Sequence, residues 1–211
     1  MTDAHDADRA ARPPDRPRSR PPWSRWTLLA LVILCVLVMI HFQRPGSTGP
    51  QGVPGLGRTL ARLELEPLTG SAQPVTLADL GGRVVLLNFW GTWCGPCRTE
   101  LPHIADIERR FRDQPAFKLL AVSCGRGPQE DLAALDYDTR MFLQQANIDM
   151  PTYSDPGQIS RQAVDEAVGF QGYPTTLLLD RRGEIRGLWS GFRPGNEAEM
   201  QQLIVQLLKE T

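Results

Sequence analysis

The sequence predicts an α/β fold, a central mixed sheet with helices on both faces, preceded by one N-terminal transmembrane helix. Three observations predict it. β-prone apolar runs alternate with segments of helical period from residue 59 onward, an apolar segment stands ahead of them at 23–42, and a Gly/Pro-rich stretch separates the two. The 211 residues, 41% hydrophobic, suffice for one ordinary domain with a real core plus these additions. The formal charge of −1 hides an asymmetry: acidic residues outnumber basic ones from Thr59 onward, while residues 12–25 hold five arginines and one aspartate. A domain with that balance carries no basic footprint, so nucleic acid is excluded as a partner.

Residues 1–22, rich in Arg, Asp and Pro, have almost nothing apolar to bury and are expected to be a disordered cytoplasmic tail. Residues 23–42 are expected to form the transmembrane anchor. The uninterrupted apolar core, Leu28 to Ile40, is short, but with Trp23, Trp26 and Phe42 a helix would cover roughly 30 Å, one hydrocarbon core. Arginines crowd its N-terminal flank, which places the N-terminus in the cytoplasm and everything after Phe42 outside, on the periplasmic side. A cleaved signal peptide is the alternative; it lacks a small-residue cleavage site after Ile40, where His41-Phe-Gln-Arg44 stands. Both readings put the domain outside. Residues 43–58 form a linker, with five glycines and three prolines between Gln43 and Gly57, reaching about 20 Å as a coil.

The folded domain spans 59–211. Arg62 to Glu66 alternates as a half-buried strand, and Val75-Thr-Leu77 follows after a turn at Gly70. Val84 to Trp90 is a continuous β-prone run, as a strand covered on both faces requires. A helix is predicted from about Cys94 to Phe111, a buried strand over Lys118–Ser123, and helices over 131–145 and 160–168. Thr175–Leu179 turns at Arg182-Gly183 into Glu184–Trp189, a hairpin. In the last helix Asn196 with Glu199 reads as a capping-box-like start, and Met200, Leu203, Ile204, Leu207 and Leu208 form one apolar stripe.

The four cysteines are Cys35, Cys94, Cys97 and Cys124, too few for a disulfide-stapled scaffold. Cys35 sits mid-segment in the anchor and reads as an apolar filler. Cys94 and Cys97, two residues apart at a strand-to-helix junction, can close a small disulfide ring. A helix N-terminus stabilises negative charge, which favours a thiolate at Cys94, and the thiolate is the attacking species in disulfide exchange. Cys97, one turn in, is positioned to resolve a mixed disulfide. Half a zinc site would need a second Cys/His pair, and none occurs at ligand spacing; His103 lies off the helical face of Cys97. No metal and no cofactor beyond the Cys94–Cys97 disulfide is expected.

Asn88-Phe-Trp-Gly-Thr-Trp-Cys-Gly-Pro-Cys-Arg98 resembles the thioredoxin superfamily signature, and the stretch from about Thr59 to Lys209 resembles its TlpA/ResA-like branch. Gly82 to Trp90, Glu100-Leu-Pro102, Asp149 to Asp155 and Gly172-Tyr-Pro-Thr-Thr176 carry that resemblance. It implies a thioredoxin-like fold, a cis Tyr173–Pro174 peptide packed against the disulfide, and a substrate-meeting surface of Trp93, Gly95, Pro96, Tyr173 and Thr175. Pro102 matches the kink proline of the family's active-site helix and removes the hydrogen bond to the Arg98 carbonyl. In place of the buried aspartate of cytoplasmic thioredoxins this chain has Asn88, which cannot accept the resolving thiol's proton; Glu100 is the candidate substitute. The alternative is an exposed first-turn acid that stabilises the helix dipole. Cys124, after the strand 118–123, is read as a packed or solvent-facing residue rather than a third redox thiol.

The resemblance further implies a membrane-tethered thiol–disulfide oxidoreductase, with Gly95-Pro96 favouring a reductase. Its partners would be exported protein thiols or disulfides, apocytochrome c or copper-site thiols among them, and a membrane thiol electron donor. A copper-delivery module using Cys94, Cys97 and His103 is the alternative from another class. Peroxide reduction needs a proline and threonine set ahead of the cysteine, and no such proline precedes Cys94.

Overall fold

The computed structural model describes residues 27, 29–35, 55–70, 73–127 and 130–210. Two compact units divide the chain, Met1–Ser47 and Thr48–Thr211. In the first, residues 29–35 are helical (α1), and Leu29, Leu31, Val32, Ile33 and Leu34 are all more than half exposed. Among the described residues no helix is long and apolar enough to cross a membrane. The expected tail over 1–22, most of the expected anchor over 23–42 and most of the linker over 43–58 lie outside the described residues.

The second unit runs β1 (Glu64–Thr69), β2 (Val75–Thr76), β3 (Val84–Trp90), α2 (Gly95–Phe111), β4 (Phe117–Ser123), α3 (Leu132–Gln145), β5 (Thr152–Ser154), α4 (Ile159–Val168), β6 (Thr175–Leu179), β7 (Ile185–Ser190) and α5 (Asn196–Lys209). The strands form one sheet in the order β2-β1-β5-β4-β3-β6-β7. Every side chain of β3 is buried, which explains its unbroken apolar run. Val84, Leu86 and Trp90 pack with Leu101 and Ile104 of α2, Leu143 of α3 and Met200 and Ile204 of α5 on one face. Val85, Leu87 and Phe89 pack with Tyr153 and with Val164 of α4 on the other. Two hydrophobic layers on one sheet are what the sequence predicts.

β4 lies parallel to β3, with Trp90 opposite Ser123, and β5 lies parallel to β4. β6 runs antiparallel to β3. The C-terminal ends of β3, β4 and β5 and the start of β6 therefore share one edge of the sheet, the edge at which α/β folds assemble their sites.

The structure departs from the sequence-based elements at three places. β5, three residues after Pro151, is a strand the sequence pattern did not indicate; it is too short to show alternation and is held by pairing with Ala121 and Val122. The strand expected over 75–77 stops at Thr76. There the Asp79 carboxylate accepts from both the amide and the hydroxyl of Thr76, each at 2.8 Å, and opens a short 3-10 turn. The start of α5 is not a capping box. Gly195 is the N-cap with φ 99°, the Asn196 side-chain Nδ2 donates to the Gly191 carbonyl at 3.2 Å, and Glu199 instead accepts from the Trp189 indole at 3.0 Å. The apolar stripe of α5 buries Met200, Ile204 and Leu207, with Leu203 and Leu208 partly covered.

Candidate active site

β3 delivers the chain to the site edge, and the turn Gly91-Thr-Trp93 hands it to α2. Cys94 is the N-cap of that helix, with extended backbone and its amide bonded to the Gly91 carbonyl at 3.1 Å. Pro96 occupies the first turn, where a missing N–H costs nothing. The Cys97 amide donates to Cys94 Sγ at 3.2 Å, so the cap position holds a sulfur where an Asp or Ser oxygen would ordinarily sit. A thiolate there is stabilised by that amide and by the helix dipole. The two sulfurs are joined at 2.05 Å. Cys94 is 6% exposed and Cys97 fully buried, so an incoming group reaches Cys94 first. Gly95 and Pro96 are exposed.

On the α2 side of the sheet, the Asn88 side-chain Nδ2 donates to Glu100 Oε2 at 3.0 Å and to Thr176 Oγ1 at 2.8 Å. Glu100 is 3% exposed, which removes the reading of it as an exposed first-turn acid. Asn88 Oδ1 and Glu100 Oε1 are buried with no hydrogen-bond partner among the described residues. Burial pushes the Glu100 carboxyl up to about 7, against the opposing pull of its bond from Asn88. A carboxyl that titrates near neutral pH, on the same helix one turn beyond the resolving sulfur, is suited to exchange a proton with it.

The start of β6 reaches the same edge of the sheet, with Thr175 opposite Phe89. Tyr173–Pro174 is cis, as the resemblance implies, and Pro174 is buried. Thr175 is also buried; its hydroxyl donates to the Gly172 carbonyl at 2.6 Å and its backbone pairs with Phe89 and Ser190. Its side chain therefore braces the loop rather than facing outward. Trp93 is 37% exposed; its indole donates to the Cys124 carbonyl at 3.0 Å, and its ring meets Tyr173 edge-on at 5.2 Å. Only glycine fits at Gly91, because a Cβ would lie 2.6 Å from the Trp93 indole nitrogen and 2.9 Å from that same carbonyl. Beside Gly95 a groove of about 440 Å³ runs between α2 and α3, lined by Arg98, Thr99 and Phe142.

The remaining candidates separate cleanly. Cys124 is fully buried, its amide bonded to the Trp90 carbonyl at 2.8 Å, and burial pushes its thiol up to about 12. It is a packed cysteine. Cys35 is exposed in the N-terminal unit and unpaired. His103 pairs through Nδ1 with Glu197 at 2.7 Å and stacks on Phe192. Among the described residues no group of His, Cys, Asp and Glu stands where it could hold a metal ion. Sequence reasoning missed Arg126, whose guanidinium covers the Trp93 ring at 5.6 Å, and Arg161, whose partners all lie in other segments. Each stands as a lone charge among small, polar and apolar neighbours, which carries no signal.

Comparison with known proteins agrees with this geometry. The model of the AhpC/TSA family matches residues 56–188. The thiol-disulfide oxidoreductase ResA of Halalkalibacterium halodurans is 25% identical over 187 residues, spanning 89% of this chain and 94% of that protein. ResA of Bacillus subtilis is 32% identical over 111 residues, 53% of this chain and 55% of its own length. A Chlorobium tepidum structure assigned as the thiol:disulfide interchange protein DsbE superimposes with a TM-score of 0.58 at 28% identity, covering 74% of this chain and 99% of that one. The chain thus belongs to the AhpC/TSA family, and with its thioredoxin-like fold and its disulfide-forming cysteine pair it is a thiol–disulfide oxidoreductase.

Proposed function

We propose that this oxidoreductase works outside the cytoplasm as a reductase of disulfides in exported proteins, apocytochrome c or copper-site proteins among them. The observation that carries the reading is Cys94 Sγ at the helix cap, accepting from the Cys97 amide, with the buried Glu100 on the same helix. In the reduced enzyme the Cys94 thiolate attacks one sulfur of the substrate disulfide, and that S–S bond breaks as the enzyme–substrate S–S bond forms. The released substrate sulfur takes a proton from solvent. Cys97 then gives its proton to the Glu100 carboxylate and attacks Cys94 Sγ. The second substrate sulfur leaves as a thiolate and takes up the proton that Glu100 releases, and the enzyme is left in the disulfide form seen here. Two electrons pass to the substrate, and a membrane thiol donor must restore them. The surface that meets substrate comprises Trp93, Gly95, Pro96 and the main chain beside Tyr173 and Pro174, with Thr175 bracing it from behind.

The extracytoplasmic location is supported by the arginine-rich flank of residues 12–25 and by the exposed apolar side chains of α1. No observation favours copper delivery, since His103 is engaged with Glu197 and Phe192. The test is the midpoint potential of the Cys94–Cys97 couple in the full chain, paired with labelling of reduced Cys94 by a membrane-impermeant maleimide in intact cells. A potential near about −270 mV with labelling from outside is expected. A potential near about −120 mV would make the protein an oxidant, and protection of Cys94 in intact cells would move the domain to the cytoplasm.

A further inference from the structure

On the α4 side of the sheet, directly behind the substrate-facing walls, a single buried guanidinium is shared among three separate segments. Arg161 Nε donates to Asp155 Oδ2 at 3.2 Å, one terminal nitrogen to Glu130 Oε1 at 2.7 Å, and the other to the Tyr173 hydroxyl at 2.6 Å. The side chains of Arg161, Glu130 and Asp155 are 8%, 7% and 0% exposed. Asp155, at the end of β5, also caps α4 through the amides of Ser160 and Arg161 at 2.8 and 3.0 Å, which fixes where the guanidinium starts.

The other two arms reach the residues proposed above to meet the substrate. Glu130 Oε1 accepts from the Gly125 amide at 3.0 Å and so closes the turn whose preceding carbonyl, that of Cys124, holds the Trp93 indole. Tyr173 is the residue before the cis proline, and its ring meets Trp93. Contacts therefore close a ring: Arg161 to Glu130, to the turn at Cys124–Gly125, to Trp93, to Tyr173, and back to Arg161. An arginine can do this because its planar fork points donors in several fixed directions; a lysine is a point charge and cannot.

We infer that Arg161 is a positioning residue for the disulfide exchange, acting through Tyr173 and Glu130 to hold the cis-proline wall and the Trp93 wall at the spacing a substrate strand needs. The inference rests on the reading that substrates are protein disulfides. It assigns Arg161 no part in the sulfur chemistry, so loss of the fork affects substrates that carry a peptide backbone and spares those that do not. Misplacing such a wall by about an ångström is enough to cost one to two orders of magnitude in rate.

The test uses the full chain, the variants Arg161→Lys and Glu130→Gln, and two disulfides: insulin, and 2-hydroxyethyl disulfide, which has no peptide backbone. Arg161→Lys is expected to raise KM for insulin about tenfold, with kcat changed less than about twofold. Turnover of 2-hydroxyethyl disulfide, the alkylation rate of Cys94 and the midpoint potential are expected to stay as in the wild type. Glu130→Gln, which keeps the shape and weakens one arm, is expected to raise KM for insulin about threefold; it keeps the test decisive should Arg161→Lys fail to fold. Unchanged KM for insulin in the folded variants overturns the inference alone, as does an equal loss with both disulfides. A wild-type chain that reduces 2-hydroxyethyl disulfide but not insulin overturns the protein-substrate reading and this inference with it.

Discussion

Two buried polar clusters lie at the same edge of the sheet, one on each face. On the α2 face, Asn88, Glu100 and Thr176 share two hydrogen bonds, and two of their oxygens have no partner among the described residues. On the α4 face, Asp155, Glu130 and Tyr173 surround Arg161, and each contributes an oxygen to a donor of that one side chain. Glu130 Oε2 is the atom left over there. A carboxyl without a countercharge is neutralised by shifting its pKa, and Glu100 does so, up to about 7. A carboxylate bound to a guanidinium is fixed in place by it. The cluster without a guanidinium is the one suited to moving a proton, and the ion-paired cluster is the one suited to holding geometry.

The sharpest way to break the comparison is to remove the countercharge from the fixed cluster. Arg161→Met leaves Asp155 and Glu130 buried without their cation, and a loss of about 3–5 kcal/mol in urea unfolding at neutral pH is expected. Next comes the opposite response in the other cluster. Glu100→Gln keeps the acceptor for Asn88 and removes a charge the fold disfavours. The folded state holds the Glu100 proton up to about pH 7 and the unfolded state only to about 4.5. Wild-type stability from this group is therefore fully present below about 4.5 and falls as pH rises through 7. The variant should gain on the wild type across that window by about 3 kcal/mol and then hold level, as unfolding at pH 4 and pH 8 would measure.

A smaller effect tests how Trp93 is held against the turn at Cys124. Trp93→Phe keeps an aromatic wall and loses the bond to the Cys124 carbonyl; about 1 kcal/mol of stability should go, measurable by thermal unfolding. The smallest expected effect is none. Buried, and with its thiol pushed up to about 12, Cys124 should resist iodoacetamide in the folded chain at pH 7 while reduced Cys94 is alkylated, a difference mass spectrometry of each peptide resolves.

Much of the fold was legible because it is written in local period. The run Val84–Trp90, the Cys94–Cys97 spacing at a strand-to-helix junction and the stripe of α5 each declare themselves within about ten residues. Glu100 was legible as a position on the helix but its burial was not, because that follows from α2 lying over Asn88 and Thr176, the latter 76 residues further on and paired with Asn88 across the sheet. β5 was hidden because three residues between Pro151 and Asp155 show no pattern, and only the neighbouring strands make them a strand. Asn196 and Glu199 have capping-box spacing, yet Gly195 turns the chain and both side chains are drawn to tertiary partners. The Arg161 ring was invisible for the same reason: its members stand 6, 12 and 31 residues from Arg161, and none is unusual alone.

The most direct measurement is the pH dependence of mixed-disulfide resolution. Wild-type chain and Glu100→Gln are each charged at Cys94 with a thiol-linked chromophore, and its release by Cys97 is followed from pH 5 to 9. The wild-type rate should rise through an inflection near pH 7 that the variant lacks, with the variant slowed at least about tenfold at pH 7.5. Superimposable profiles would contradict a role for Glu100 in taking the Cys97 proton, and with it the division of labour between the two faces of the sheet.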